Sequence, residues 1–116
     1  MGKQDCLFCR IAKKDIQSKI VFEDSQVLAF EDVNPQAPVH ILIIPKEHID
    51  KVSDLTPEHA EIVGRLVLAA KDIAAKKGVK ESGYRIVMNC NKDAGQAVFH
   101  LHLHLLGGRK FSWPPG

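Results

Sequence analysis

The chain has 116 residues, 45% hydrophobic and 26% charged, which is the size and mixture of one domain with a single core and excludes a disordered or low-complexity chain. No apolar run approaches the roughly 20 residues that a membrane helix needs. The 16 Lys and Arg against 14 Asp and Glu leave a net charge of +2 spread over scattered lysines, which makes no electrostatic case for nucleic acid.

The N-terminus, "MGKQDCLFCR", has no apolar stretch of signal-peptide length. It also lacks the serine or threonine of a myristoylation motif at Cys6, so the expected location is the cytoplasm. Three cysteines are an odd number in such a chain and read as reduced thiols or metal ligands rather than a disulfide framework. Leu7, Phe8 and Ile11 recur at helical spacing and predict a short amphipathic helix with Cys6 and Cys9 near its start. Two β-rich runs follow, Ile20-Val21-Phe22 and Val27-Leu28-Ala29-Phe30, joined by a polar gap of hairpin character. The proline-bearing stretch "EDVNPQAPVH" predicts an ordered loop. It leads into His40-Ile41-Leu42-Ile43-Ile44, a central strand stopped by Pro45.

The clearest helix is "LTPEHAEIVGRLVLAAKDIAAKKG". Thr56 can cap it, Pro57 suits its first position, and Ile62, Val63, Leu66, Val67, Ala70, Ile73 and Ala74 form an apolar stripe. Lys76 and Lys77 suit its C-terminal dipole, and Gly78 can end it. A β-rich run at 84–88, the polar loop "NCNKDAGQA" and the stretch "FHLHLHLL" complete the chain before its tail. The order α, β, β, β, α, β, β with short gaps predicts an α+β domain with an antiparallel sheet of about five strands and helices on one side.

"FHLHLHLL" holds three of the six histidines. In an extended chain His100, His102 and His104 share one face and Leu101, Leu103 and Leu105 the other, so the leucines take the core and the histidines a pocket. Two chemistries fit such a face. Alternating imidazoles can converge on a metal, or one imidazole can act as a nucleophile while its neighbours orient it and handle protons.

His100-Leu101-His102-Leu103-His104-Leu105-Leu106 matches the His-φ-His-φ-His-φ-φ signature of the histidine triad (HIT) superfamily, where φ is apolar. "FEDVNPQAPVHILIIPKEHI" is similar to that family's loop and central strand, and "NCNKDAGQAVFHLHLHLLGGR" to its active-site loop and triad strand. "WPPG" resembles the tail of its Hint branch. Galactose-1-phosphate uridylyltransferases carry glutamine at the third triad position, where this chain has His104. The Fhit branch lacks a tail like "LGGRKFSWPPG".

The resemblance implies a single HIT-like domain over residues 1–116: an antiparallel sheet of about five strands with one long and one short helix. It implies a homodimer built on the long helix and an edge strand, with the tail, 107–116, at the dimer interface and Trp113 reaching the neighbouring site. It further implies a purine nucleoside phosphoramidase: an enzyme that binds a purine nucleotide (AMP, GMP or an adenosine-type ligand) and hydrolyses AMP–amine bonds through a nucleotidyl-histidine, with no cofactor needed for catalysis. His102 is then the nucleophile, His104 a partner of the phosphate or leaving group, and His100 the orienting residue. His40 is a fourth histidine beside them. Asp32 would hold the ribose hydroxyls, as a carboxylate accepting two hydrogen bonds can.

Leu7, Phe8, Ile11, Phe30 and Val33 correspond to the wall around the base, although these residue types equally suit an ordinary core. Asn89, Gly95, Gln96 and Ala97 correspond to the phosphate loop, where many Hint relatives have serine at position 97. Some bacterial relatives bind structural zinc through residues matching Cys6, Cys9, His48 and His100; two reduced thiols are the alternative for the cysteine pair. Neither nucleic acid nor a membrane is an expected partner. Two other functions stay open: a nucleotide-binding regulator with little turnover, favoured by Ala97, and a zinc protein whose triad holds the metal.

Overall fold

A computed structural model of the protein describes residues 6–116. The first helix, α1 (Leu7–Ala12), is only six residues long and begins where the Sγ of Cys6 accepts the backbone N–H of Cys9. It is followed by a hairpin of β1 (Ile20–Glu23) and β2 (Val27–Glu31). Asp24 shapes the turn, its carboxylate accepting the N–H groups of Gln26 and Val27 at 2.8 Å each. β3 (Val39–Pro45), α2 (Ala60–Lys76), β4 (Tyr84–Val87), the one-turn helix α3 (Asn91–Ala94) and β5 (Leu103–Gly107) complete the order.

All pairings are antiparallel, and the strands lie in the order β1-β2-β3-β5-β4, with β3 at the centre. The expected α+β domain with a five-stranded sheet and one long helix is what forms. The helices, however, cover both faces of the sheet. Val27, Ala29, Ile41, Ile43, Leu103 and Leu105 face α2, where Leu66, Ala70, Ile73 and Ala74 are buried. The alternate residues Leu28, Phe30, Leu42 and Ile44 face Phe8, Cys9 and Ile11 of α1. β2 and β3 are apolar at successive positions, so each of their faces must be covered to leave water.

Four details differ from the sequence reading. A 3-10 turn, Pro57–His59, follows Thr56, and the α-helix starts only at Ala60. On α2 it is Ala69 that is buried, while Val67 is 44% exposed, because the stripe facing the sheet is centred on Leu66, Ala70 and Ile73. The loop after β4 contains α3, closed by Gly95 in the left-handed conformation at φ 83°. β5 begins at Leu103, so the hydrogen-bonded ladder excludes His100 and His102. Among the described residues no helix is long and apolar enough to cross a membrane.

Candidate active site

The register Ile41↔Leu105, Leu42↔His104 and Ile43↔Leu103 puts His104 on the α1 face of the sheet, and His40 shares that face from β3. Leu101, Leu103 and Leu105 are buried to 1% or less on the α2 side. The alternation therefore puts leucines and histidines on opposite faces as expected, with the His100 and His102 rings themselves buried.

Hydrogen bonds fix the proton positions. The backbone N–H of Gln36 donates to Nδ1 of His40 at 3.0 Å, so a neutral His40 carries its proton on Nε2. That nitrogen lies 2.9 Å from Nδ1 of His104 and donates to it, which leaves the proton of a neutral His104 on its own Nε2. A carboxylate oxygen of Asp32 stands 3.5 Å from His40 Nε2, and its other oxygen accepts the N–H of Asn34 at 2.8 Å. Burial holds the pKa of His40 below its ordinary value. His104 is pushed down to about 4, first by burial and then by the neighbouring imidazoles of His102 and His40. Both rings are therefore neutral near pH 7, as the donor assignment requires.

His102 donates Nδ1–H to the carbonyl of His100 at 2.7 Å. This bond fixes the tautomer: the neutral ring keeps its lone pair on Nε2. The ring sits 5.0 Å from that of His104 and meets the edge of Phe8 at 5.1 Å, so it is held between a donor imidazole and an apolar wall.

A depressed histidine pKa has a consequence for stability. Unfolded His104 takes up a proton near pH 6.5, whereas the folded ring does so only near 4. The stability it contributes is complete above about pH 6.5 and is lost as the pH falls toward 4. Urea unfolding at pH 7 and pH 4.5 is expected to show a larger loss for the unmodified protein than for His104→Gln; equal losses would contradict a buried, neutral His104.

A cavity of about 740 Å³ opens beside Asp32, lined also by Gln17, Ser18, Lys19, Glu31, Val33 and Pro35. Sequence reasoning found Asp32 and Val33 but missed 17–19; the signal available was a polar stretch placed opposite the Asp32 loop. Phe8, Ile11 and Phe30, read as a base wall, are all buried in the core cluster under α1, whereas Leu7 is 45% and Val33 97% exposed. In the phosphate loop Gly95 and Ala97 are exposed and Asn89 is half-buried. Gln96, by contrast, is buried. Its Oε1 accepts the N–H of Asn91, and its Nε2 donates to the carbonyls of Asp50 and Val98, so its side chain braces the loop from within. In the tail Trp113 is 84% exposed, and the guanidinium groups of Arg85 and Arg109 lie 5.1 and 4.3 Å from the ring centre of Phe111.

Cys6, Cys9, His48 and His100 converge, with their donor atoms all within 4.8 Å of one another. His100 Nδ1 lies 3.3 Å from Cys6 Sγ and 3.5 Å from Cys9 Sγ, and His48 Nδ1 lies 3.2 Å from Cys9 Sγ. A tetrahedral zinc with bonds of about 2.0–2.3 Å separates its ligands by roughly 3.3–3.8 Å. The outer nitrogens are committed: His100 Nε2 donates to the carbonyl of Pro45 at 2.7 Å and His48 Nε2 to the carboxylate of Asp50. Both Nδ1 lone pairs therefore face the sulfurs, the arrangement that orients imidazole ligands around zinc. The donor set and its supporting shell fit that metal. His102 belongs to none of the metal-capable clusters among the described residues, and the three triad rings turn to three different partners rather than to one centre.

Comparison with known proteins agrees with this architecture. The family model described as HIT domain matches residues 13–111. The chain is 47% identical over 106 residues to the purine nucleoside phosphoramidase of Escherichia coli K12, covering 91% of this chain and 89% of that protein. The crystal structure of a HIT family hydrolase from Legionella pneumophila superimposes with a TM-score of 0.95 at 50% identity, covering 97% of this chain and all of the other. A histidine triad nucleotide-binding protein from Candida albicans gives 0.81 at 28% identity over 97% of this chain and 85% of its own.

Proposed function

The chain belongs to the HIT domain family, and on that premise we propose that it is a purine nucleoside phosphoramidase, a hydrolase that cleaves P–N bonds between a purine nucleoside monophosphate and an amine. The observation that carries this reading is the 2.7 Å bond from His102 Nδ1 to the carbonyl of His100. It leaves Nε2 as the unprotonated nitrogen beside His104, whose own Nε2–H is a donor for a phosphoryl oxygen. In the first step His102 Nε2 bonds to the α-phosphorus as the P–N bond to the amine breaks, and the leaving nitrogen takes up a proton from solvent, which the attacking water of the second step returns. In the second, water attacks the same phosphorus, releasing the nucleotide and restoring the imidazole.

The cavity beside Asp32 supports a nucleoside site there, in which the carboxylate would accept hydrogen bonds from the ribose hydroxyls. The name of the Escherichia coli relative supports the phosphoramidate class, and that of the Candida albicans protein supports nucleotide binding. Ala97 offers no hydroxyl to the leaving nitrogen, which favours as a second reading a nucleotide-binding regulator with slow turnover. Catalysis draws on imidazoles alone. Cys6, Cys9, His48 and His100 would hold a zinc ion, which would cross-link α1, the segment after β3 and the approach to β5. A homodimer is the expected assembly, and the exposed Leu68 of α2, Ile86 of β4 and Trp113 of the tail supply apolar surface for it.

The test is to mix the protein with an AMP phosphoramidate, quench rapidly and weigh the protein. We expect AMP release and a transient mass gain of one adenylyl group that maps to His102. An adduct on any other residue would overturn the assignment of the nucleophile, and AMP binding without turnover would select the regulator.

A further inference from the structure

The nucleophile is held by backbone that the sheet does not hold. β5 begins at Leu103, so the carbonyl of His100, which fixes His102, belongs to a segment outside the ladder. Three bonds tie that approach to the end of β3 and the chain after it. His100 Nε2 donates to the Pro45 carbonyl at 2.7 Å, the Leu101 N–H donates to the Ile49 carbonyl at 2.6 Å, and Gln96 Nε2 donates to the Asp50 carbonyl at 2.9 Å.

The same two segments supply His48 and His100 to the sulfur cluster, and α1 supplies the two cysteines. Side chains that lie two residues from the nucleophile, or that brace the phosphate loop, thus share one bracket with four potential ligands. We propose that His100 is a positioning residue through which metal occupancy of the Cys6, Cys9, His48 and His100 cluster governs the orientation of His102.

With two thiolates and two imidazoles bound to one ion, the His100 ring cannot turn and its carbonyl stays on the Nδ1–H of His102. Without the ion, the sulfurs offer the two rings only weak S–H···N contacts, and the His100 segment relaxes. Asp32, His40 and His104 stand on the loop after β2, on β3 and within the β5 ladder, outside that bracket. The contacts those three residues make to a nucleotide are therefore insulated from the cluster while the reactive orientation of His102 is not. Supporting partners of metal ligands commonly carry effects of about 10–100-fold, and the coupling runs here in the reverse direction, from ligand to catalytic ring.

The inference rests on the hydrolase reading for its kinetic arm and not for its spectroscopic one. The experiment compares full-length protein as purified, stripped of metal by a chelator under reducing conditions, and reloaded with zinc. It measures bound zinc, kcat and KM on an AMP phosphoramidate, AMP affinity by calorimetry, and the His102 Nδ1–H signal by nitrogen-15 NMR. We expect one zinc per chain. Stripping should lower kcat about tenfold or more, leave KM and AMP affinity within about twofold, and broaden or shift the His102 signal; zinc should reverse all three changes.

Cys9→Ser, which removes a sulfur within 3.5 Å of both imidazoles, should reproduce the stripped state, and the stripped native protein serves if that variant fails to fold. Absence of bound zinc would overturn the proposal. So would an unchanged His102 signal and kcat in folded metal-free protein, or a loss of kcat that only tracks the fraction unfolded by circular dichroism. If the zinc-loaded protein binds AMP without hydrolysing the phosphoramidate, the hydrolase reading fails, and the NMR comparison still decides the coupling.

Discussion

His102→Ala is expected to lower phosphoramidate turnover by at least about 10⁴-fold and to remove the covalent nucleotidyl adduct, while AMP still binds. Loss of a nucleophile abolishes the path that runs through it, and known nucleophile deletions cost on the order of 10⁶-fold in kcat. The arrangement leaves no substitute. His104 has its Nδ1 engaged by His40 and its Nε2 protonated, so its lone pairs are not offered to phosphorus. The His100 ring is fully buried, with Nε2 donating to Pro45 and Nδ1 among the sulfurs. Binding should survive because Asp32 and its cavity do not depend on the His102 ring. Stopped assays with purified variant check the rate and calorimetry the affinity; a variant that keeps more than about a tenth of the activity would overturn nucleophilic catalysis by this residue.

The period-2 alternation of "FHLHLHLL" was enough to assign its two faces, because leucines at odd positions must find a core and histidines at even positions are left with the other side. It could not locate the start of the ladder, which depends on the partner strand. Continued beyond Ile43↔Leu103, the register would set Leu101 against Pro45, and proline has no N–H to give. The Pro45 carbonyl instead takes the side chain of His100, and the Leu101 N–H turns to Ile49. The nucleophile's neighbour thus becomes an anchor for a reason invisible in the triad itself.

The side-chain role of Gln96 was hidden for a similar cause. An amide looks like a ligand-binding group in sequence, yet at 7% exposure it must satisfy its own donors and acceptor, and three backbone groups around it do so. The sheet was expected to carry its helices on one side, although the signal for two-sided packing stands in the sequence. Val27-Leu28-Ala29-Phe30 and Ile41 to Ile44 are continuous apolar runs, the mark of strands buried on both faces, and they require α1 to lie opposite α2. His40 and Asp32 came from family resemblance alone; their pairing at 3.5 Å depends on the loop after β2 folding back onto β3.

Leu103→Ala is expected to destabilise the fold by about 2–5 kcal/mol, a large part of the roughly 5–15 kcal/mol available to a domain of this size. Leu103 is fully buried, faces Ile43 across the central strand pair and belongs to the cluster closed by α2. Removing its branched end leaves a cavity beneath the sheet, and β3 and β5 are tied by their ladder and cannot close over it. The melting temperature should fall by on the order of 10 °C or more.

Leu106→Ala provides the contrast. It lies on the histidine face of the same strand, is only half-buried, and should cost less than half as much. Because Leu103 stands between His102 and His104 but points away from both, its truncation removes no group from the site. Below its melting range the variant should still form the nucleotidyl-histidine. Equal losses for the two leucines would mean that the alternation does not divide core from pocket, and the geometry that brings His102 and His104 together would lose its physical basis.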